Sequence, residues 1–154
     1  MTWTARLLAL TFLVVLYTPG MFSKSPNASL SSPELLNSFI VSFMNHAEET
    51  GYFSQTQLDD INIIGDAIKI SADKMVRSGK SSVKNLQVLS MGFASSVAEI
   101  AVAEGGHNID KITTAISDSL RSAFLETTGA VNPQFVNEIS NLMNLPKMLE
   151  ECKA

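Results

Sequence analysis

The chain places apolar residues three and four positions apart in five successive segments, and this spacing constrains its fold more than any other feature. Residues at such spacing cover one face of an α-helix, which turns once in about 3.6 residues. Serine, asparagine and proline precede the segments, and glycine follows most of them, as expected of helix starts and stops. No segment shows the alternating pattern of a half-buried β-strand. We therefore predict an all-α bundle of five helices.

These start and stop residues also predict where each helix lies. The predicted helices run from Ser32-Pro33 to Thr50-Gly51, from Ser54 or Thr56 to Gly79, from Ser81-Ser82 to Gly105-Gly106, from about Asn108 to Glu126, and from Asn132-Pro133 to Leu145-Pro146. Pro146 is expected to limit the last helix, because proline disfavours the helical conformation in the residue before it. We assign the five-helix domain to residues 32–150 and a short tail to residues 151–154.

Residues 1–23 are predicted to be a secretory signal peptide. One arginine precedes a largely apolar run, Leu7–Tyr17, and small residues follow it, an order typical of secretory signals. A membrane-spanning helix needs about 20 apolar residues, whereas Pro19-Gly20 ends this run earlier. We therefore expect a secreted, extracellular protein that carries no membrane segment once the signal is removed.

Cleavage is expected after Gly20 or after Ser23, which leaves a flexible leader at residues 24–31. Asn27 begins an Asn-Ala-Ser sequon in this leader and is a candidate N-glycosylation site, whose occupancy stays open. Cys152 is the single cysteine, so the core must fold without an internal disulfide. A harmless thiol on the tail and a bridge between two chains both remain open for Cys152.

Charge and motif content exclude several function classes. The chain has 11 basic and 15 acidic residues, and a net charge of -4 gives no footprint for nucleic acid. His46, His107 and Cys152 do not have the spacing of metal ligands. No phosphate-binding glycine loop and no nucleophile with a base is recognisable. We therefore predict a protein that is not an enzyme and has no catalytic residues, no metal and no cofactor.

One face of the third helix carries small residues around a single carboxylate. Its members follow at positions i, i+3, i+4, i+7 and i+11, namely Gly92, Ser95, Ser96, Glu99 and Ala103. Small side chains allow another helix to approach closely. A carboxyl covered by such a contact would lose water, which raises its pKa. The stripe is thus either a close-packing, proton-sensitive interface or an ordinary exposed helix face with one charge.

Four stretches of the sequence resemble the N-terminal domains of spidroins, the spider silk proteins. In chain order they are Gln57–Asp60, Lys84–Leu89, Phe93–Ala101 and Thr127–Ile139. The resemblance covers roughly residues 30 to 145, and its last two stretches are the most specific. It implies a five-helix domain at the head of a long silk protein, soluble and monomeric during storage. It also implies an antiparallel homodimer that forms as pH and salt fall during spinning.

The resemblance further implies roles for individual residues. Asp60 matches the aspartate of an acidic pole, and Glu99, Glu104 and Glu138 match three glutamates that take up protons in the dimer. Two positions depart from the family pattern: Leu30 stands where family members have a tryptophan, and Asn85 aligns with the basic residue of the interface. We therefore expect Lys80 and Lys84 to form the basic pole, with Lys84 as the substitute. His107 is considered as a second proton switch.

A second hypothesis is a small secreted helical carrier of apolar ligands such as lipids or odorants. A bundle lined by methionine and phenylalanine could enclose such a ligand. A sizeable apolar cavity and ligand-dependent melting would distinguish this function from self-assembly.

Overall fold

The computed structural model describes residues 29–153, without the side chains of residues 147–151 and 153. Its helices are α1 (Pro33–Thr50), α2 (Gln55–Arg77), α3 (Val83–Glu104), α4 (Ile109–Thr128) and α5 (Pro133–Lys153), with one 3-10 turn, Gly106–Asn108, before α4. The prediction of an all-α bundle of five helices is confirmed. The predicted signal peptide and Asn27 lie outside the described residues.

The helix starts are fixed by the serines that the sequence suggested. The Ser32 hydroxyl accepts a hydrogen bond from the Leu35 amide at 3.1 Å, and this satisfies a donor that the first helical turn leaves open. Ser54 and Gln57 form a reciprocal capping box at the start of α2. Ser82 caps α3 in the same way. At the other end of α1, Gly51 has a φ of 68°, a left-handed conformation that glycine adopts without strain.

The last helix is longer than predicted. Pro146 lies inside α5, which continues to Lys153, so the predicted stop at Pro146 and the tail at residues 151–153 are wrong. The fixed φ of proline is itself close to the helical value, and its ring removes one backbone hydrogen bond without preventing further turns. The flexible leader predicted at residues 24–31 is wrong at its C-terminal end. Leu30 is only 1% exposed and belongs to the hydrophobic core.

Phenylalanine rings from four helices meet at the centre of the bundle. The Phe39 ring of α1 lies 4.7 Å from Phe124 of α4, 6.2 Å from Phe135 of α5 and 6.5 Å from Phe93 of α3, measured between ring centroids. α2 joins this core through Gly65, where an added Cβ would lie 2.9 Å from Ile40 Cγ2. A glycine is required there because α1 and α2 approach so closely.

Two helix pairs organise the functional part of the molecule. α3 packs mainly against α2 and α5, and α1 packs mainly against α4. α3 is long and apolar enough to span a membrane, with a mean hydropathy of 1.5, but 67% of that segment is buried inside the bundle. α3 is therefore a core helix, and the outward surfaces of the α2–α3 pair and of the α1–α4 pair carry the charged groups described next.

Candidate functional site

An acidic pole lies where α2 begins and α3 ends. Asp59 and Asp60 follow the capping box of α2, and Glu104 is the last residue of α3. Desolvation by burial raises the pKa of Glu104, and the nearby charge of Asp60 raises it further. The packing of α2 against α3 therefore places Asp60 and Glu104 close enough to repel each other when both are ionised.

Glu99 lies about one and a half turns before Glu104 on α3, and its pKa shift is the larger of the two. Its side chain is half-buried, and its Oε2 atom has no hydrogen-bond partner among the described residues. Burial raises the pKa of Glu99 from 4.5 to about 7. A carboxylate without a donor loses water on burial and gains nothing in return, so the neutral acid is favoured.

The small-residue stripe around Glu99 is only partly exposed. Ser95 and Ser96 are 1% and 0% exposed, so these two members of the predicted close-packing stripe lie inside the bundle rather than on an exposed helix face. α3 is covered by its neighbours on several sides, and both hydroxyls are satisfied within the helix: Ser96 donates to the Gly92 carbonyl at 2.9 Å and Ser95 to the Met91 sulfur at 3.4 Å. Gly92, Glu99 and Ala103 are the members of the stripe that reach the surface.

Glu138 lies on α5, which packs against α3, and its side chain is half-buried. No hydrogen bond or ion pair joins Glu138 to Asp60, Glu99 or Glu104 in the part of the chain that the structure describes. Its membership of the proton-binding set therefore stays a prediction.

The two lysines predicted to form a basic pole lie at the opposite end of the α2–α3 pair. Lys80 is in the connection between the two helices and Lys84 in the first turn of α3, and both are exposed. Neither forms an ion pair within the described residues. α3 contains 22 residues and runs from one end to the other, so about 30 Å separate Lys84 from Glu104 along its axis. The half-buried Asn85 donates from Nδ2 to the Lys80 carbonyl at 2.7 Å and so closes the connection. This bond uses the backbone of Lys80, so the side chains of Lys80 and Lys84 can both extend outward.

The α1–α4 pair carries a polar cluster that the sequence did not suggest. Ser42 and His46, one turn apart on α1, both bond to the carboxylate of Glu126 on α4. His46 Nε2 lies 2.8 Å from Glu126 Oε1. The hydrogen bond from Ser42, then that from His46, lowers the pKa of Glu126. The Ser42/His46 spacing of four residues was visible in the sequence, but no local pattern pointed to a partner 80 positions away.

Comparisons with known proteins identify the family. The sequence model of the family described as the N-terminal part of major ampullate spidroin 1, spider silk protein 1, matches residues 29–151. This chain belongs to the spidroin N-terminal domain family. No curated protein sequence matched. The family is a structural silk protein domain rather than an enzyme, and its membership implies secretion. The apolar-ligand carrier stays an alternative hypothesis.

Solved spidroin domains share this fold. The amino-terminal domain of Latrodectus hesperus MaSp1 with neutralized acidic cluster is 39% identical, and the match covers 84% of this chain and 92% of that one at a TM-score of 0.70. The N-terminal domain of A. ventricosus minor ampullate spidroin at pH 7.2 is 20% identical, with coverage of 80% and 91% and a TM-score of 0.66. Its structure at pH 5.5 is 22% identical, with coverage of 82% and 90% and a TM-score of 0.67. At these two lower identities the likeness shows the fold alone.

Three further residues of this spidroin domain, singled out from the sequence, are Leu30, Cys152 and His107. Leu30, at the position where the resemblance expects tryptophan, fills the core beside α1. Cys152 is exposed near the end of α5, and His107 is exposed in the 3-10 turn. Neither contact nor burial assigns a role to Cys152 or His107. The two alternatives for Cys152, a harmless thiol or a bridge between chains, and the proton switch at His107 therefore stay predictions.

Proposed function

We propose that this domain keeps a secreted silk protein soluble in storage and forms an antiparallel homodimer as pH and salt fall during spinning. The half-buried, unpartnered carboxyl of Glu99 carries the proposal. With its pKa raised to about 7, this carboxyl is mostly ionised at pH 7.5 and mostly protonated at pH 5.5. Glu99 is thus a proton-binding group at the surface of α3, and its charge changes between the storage pH and the spinning pH.

Covering this surface with a second copy would remove more water from Glu99. The charged form would then cost more in the dimer than in the monomer, so the dimer would bind a proton more tightly. By linkage, a state that binds protons more tightly gains stability as pH falls. Glu104, whose pKa is also raised by burial and by Asp60, would contribute with the same sign. Glu138 would be the third such group.

The charge arrangement favours an antiparallel pairing. In that orientation the pole with Asp60 and Glu104 meets the other copy's pole with Lys80 and Lys84. Opposite charges attract over about 10 Å at 0.1 M salt, and higher salt screens them, so low salt strengthens the pairing. Because Asn85 is engaged in the α2–α3 connection, we propose that Lys84 supplies the cation that the resemblance expects at Asn85.

The solved structures of two relatives differ in pH or in their acidic residues. The A. ventricosus minor ampullate domain was solved at pH 7.2 and at pH 5.5, and the Latrodectus hesperus domain carries a neutralized acidic cluster. These relatives support testing pH and acidic residues in this chain.

The test is the mass of residues 24–154 in solution by sedimentation velocity or light scattering. Samples at pH 7.5 and pH 5.5, each at low and high salt, contain a reductant so that Cys152 cannot imitate association. We expect a monomer at pH 7.5 and a dimer at pH 5.5 that low salt tightens. A mass that ignores pH would contradict the proposal.

Variants assign the response to residues. Glu99→Gln, which imitates the protonated acid, should shift the monomer–dimer midpoint to higher pH. The matched control is Glu48→Gln, which removes one exposed acid from α1 and should leave the midpoint unchanged. Lys84→Ala should weaken the dimer and reduce its salt dependence. Unchanged affinity and salt dependence in Lys84→Ala would show that another cation occupies the basic pole.

A further inference from the structure

Ser42, His46 and Glu126 connect α1 to α4 through both oxygens of one carboxylate. The Ser42 hydroxyl donates to Oε2, and His46 Nε2 lies 2.8 Å from Oε1. On the other side of the imidazole, Nδ1 lies 3.6 Å from Glu49 Oε2. The ring is 28% exposed and therefore stands between two carboxylates at a partly covered surface.

The other ion pairs of the described residues do not involve this cluster. On α4, Arg121 pairs with Asp118 at 3.1 Å, and on α2, Lys69 pairs with Asp66 at 3.6 Å. The interactions that set the pKa of Glu126 come from Ser42 and His46 rather than from charges of α2, α3 or α5. The acids facing the imidazole in the described residues are thus Glu49 on its own helix and Glu126 on α4.

We propose that Ser42, His46 and Glu126 form a clamp between α1 and α4 that acidification strengthens. A neutral imidazole has one N–H and can donate to only one of its two carboxylate neighbours, whereas the imidazolium ion has two N–H groups. Histidine is the side chain whose ordinary change of charge falls in the physiological pH range, so acidification favours the imidazolium ion. The imidazolium form of His46 can donate a charge-assisted hydrogen bond to Glu126. Its second N–H faces Glu49 at 3.6 Å, which adds an ion-pair attraction.

Glu126, the acceptor, stays ionised while His46, the donor, gains its second N–H. Because the pKa of Glu126 is lowered, its contribution to folding is fully present above the ordinary carboxyl pKa. It is lost only as pH falls through the lowered value, below the spinning range. The clamp needs one chain only, so it does not depend on the dimer proposal. It would hold the fold while the acidic pole takes up protons.

A double-mutant cycle tests the clamp in the protein that insect cells secrete from the full sequence. Urea unfolding is measured for the parent, His46→Gln, Glu126→Gln and the double variant, at pH 7.5 and pH 5.5. The interaction factor is the change in unfolding constant that the two single changes do not account for. We expect about a twofold to fivefold factor at pH 5.5 and a clearly smaller one at pH 7.5. Dimerisation common to all four proteins cancels in the cycle.

The control is the same cycle on Asp118 and Arg121, an exposed ion pair of α4 that contains no histidine. Its factor should be equal at the two pH values. A His46–Glu126 factor that is equal at both pH values, or larger at pH 7.5, would overturn the proposal. Glu49→Gln adds a further check, because it should reduce the stability gained on acidification without removing the His46–Glu126 interaction.

Discussion

Glu99 on α3 and Glu126 on α4 are both glutamates on helix surfaces, yet their pKa values move in opposite directions. Burial raises the pKa of Glu99 to about 7, whereas hydrogen bonds from Ser42 and His46 lower that of Glu126. Glu99 is half-buried and its Oε2 has no partner among the described side chains. Glu126 is 56% exposed and has a donor on each oxygen.

The difference shows that hydrogen-bond donors decide the response of these carboxyls as much as burial does. Loss of water without replacement favours the neutral acid, and donors aimed at the oxygens favour the anion. Over the interval from pH 7.5 to pH 5.5, Glu99 therefore changes charge and Glu126 does not. The carboxyl on one helix pair can take up a proton while the carboxylate on the other stays available as an acceptor, although both pairs rest on one aromatic core.

The largest expected effect tests that shared core. Phe39→Ala removes a fully buried ring that contacts rings on three other helices, and we expect a loss of about 3–5 kcal/mol in the free energy of unfolding. The loss should be the same at pH 7.5 and pH 5.5, measured by urea unfolding, because the contact is apolar. A loss that depended on pH would mean that core packing and proton binding are coupled.

Replacement of Glu99 should change the pH dependence of stability. In the native state the pKa is about 7, against the ordinary 4.5 in the unfolded chain. The fold therefore binds a proton that the unfolded chain does not, and stability rises as pH falls from about 7 to 4.5. We expect Glu99→Gln to raise Tm at pH 7.5 by a few degrees and to flatten its dependence on pH.

The matched comparison for Glu99 is Glu126→Gln under the same conditions. It should lower Tm at pH 7.5, because it removes an acceptor from Ser42 and His46. Equal effects of the two replacements, in sign and pH dependence, would contradict the distinction between the two helix pairs.

Asp60→Asn should have a smaller effect, confined to the acidic pole. Burial is the first cause of the raised pKa of Glu104, and the charge of Asp60 is the second. Removal of that charge should lower the pKa of Glu104 but leave it above the ordinary value. NMR titration of the Glu104 side chain measures this change. A Glu104 pKa that stays where it was would show that Asp60 is too well hydrated to act on it.

Most of the fold could be predicted from local sequence, because caps and glycines act within one turn. Ser32, Ser54 and Ser82 start helices where their hydroxyls can accept from the first turn. Pro146 was misleading because its effect depends on whether the surrounding turns are held by the bundle. The burial of Ser95 and Ser96 could not be decided from the sequence, since small residues suit a buried contact as well as an open face.

The candidate site could be predicted in part. Glu99 could be singled out from its position among small residues, but its missing hydrogen-bond partner depends on the packed structure. The Ser42–His46–Glu126 cluster was missed because 84 residues separate Ser42 from its acceptor. Contacts at that distance along the chain follow from how helices pack, which a helical periodicity does not specify.

The smallest expected effect ranks the two donors that act on Glu126. The hydrogen bond from Ser42 is the first cause of its lowered pKa, and that from His46 is the second. Ser42→Ala should therefore raise the pKa of Glu126 more than His46→Gln does, as measured by NMR titration of the Glu126 carboxyl. Thr128→Val on the same helix is a suitable control, because its hydroxyl donates to carbonyls of Phe124 and Ala130 rather than to Glu126. A larger rise in the pKa of Glu126 in His46→Gln than in Ser42→Ala would mean that the imidazole, rather than the hydroxyl, is the main group that stabilises the carboxylate.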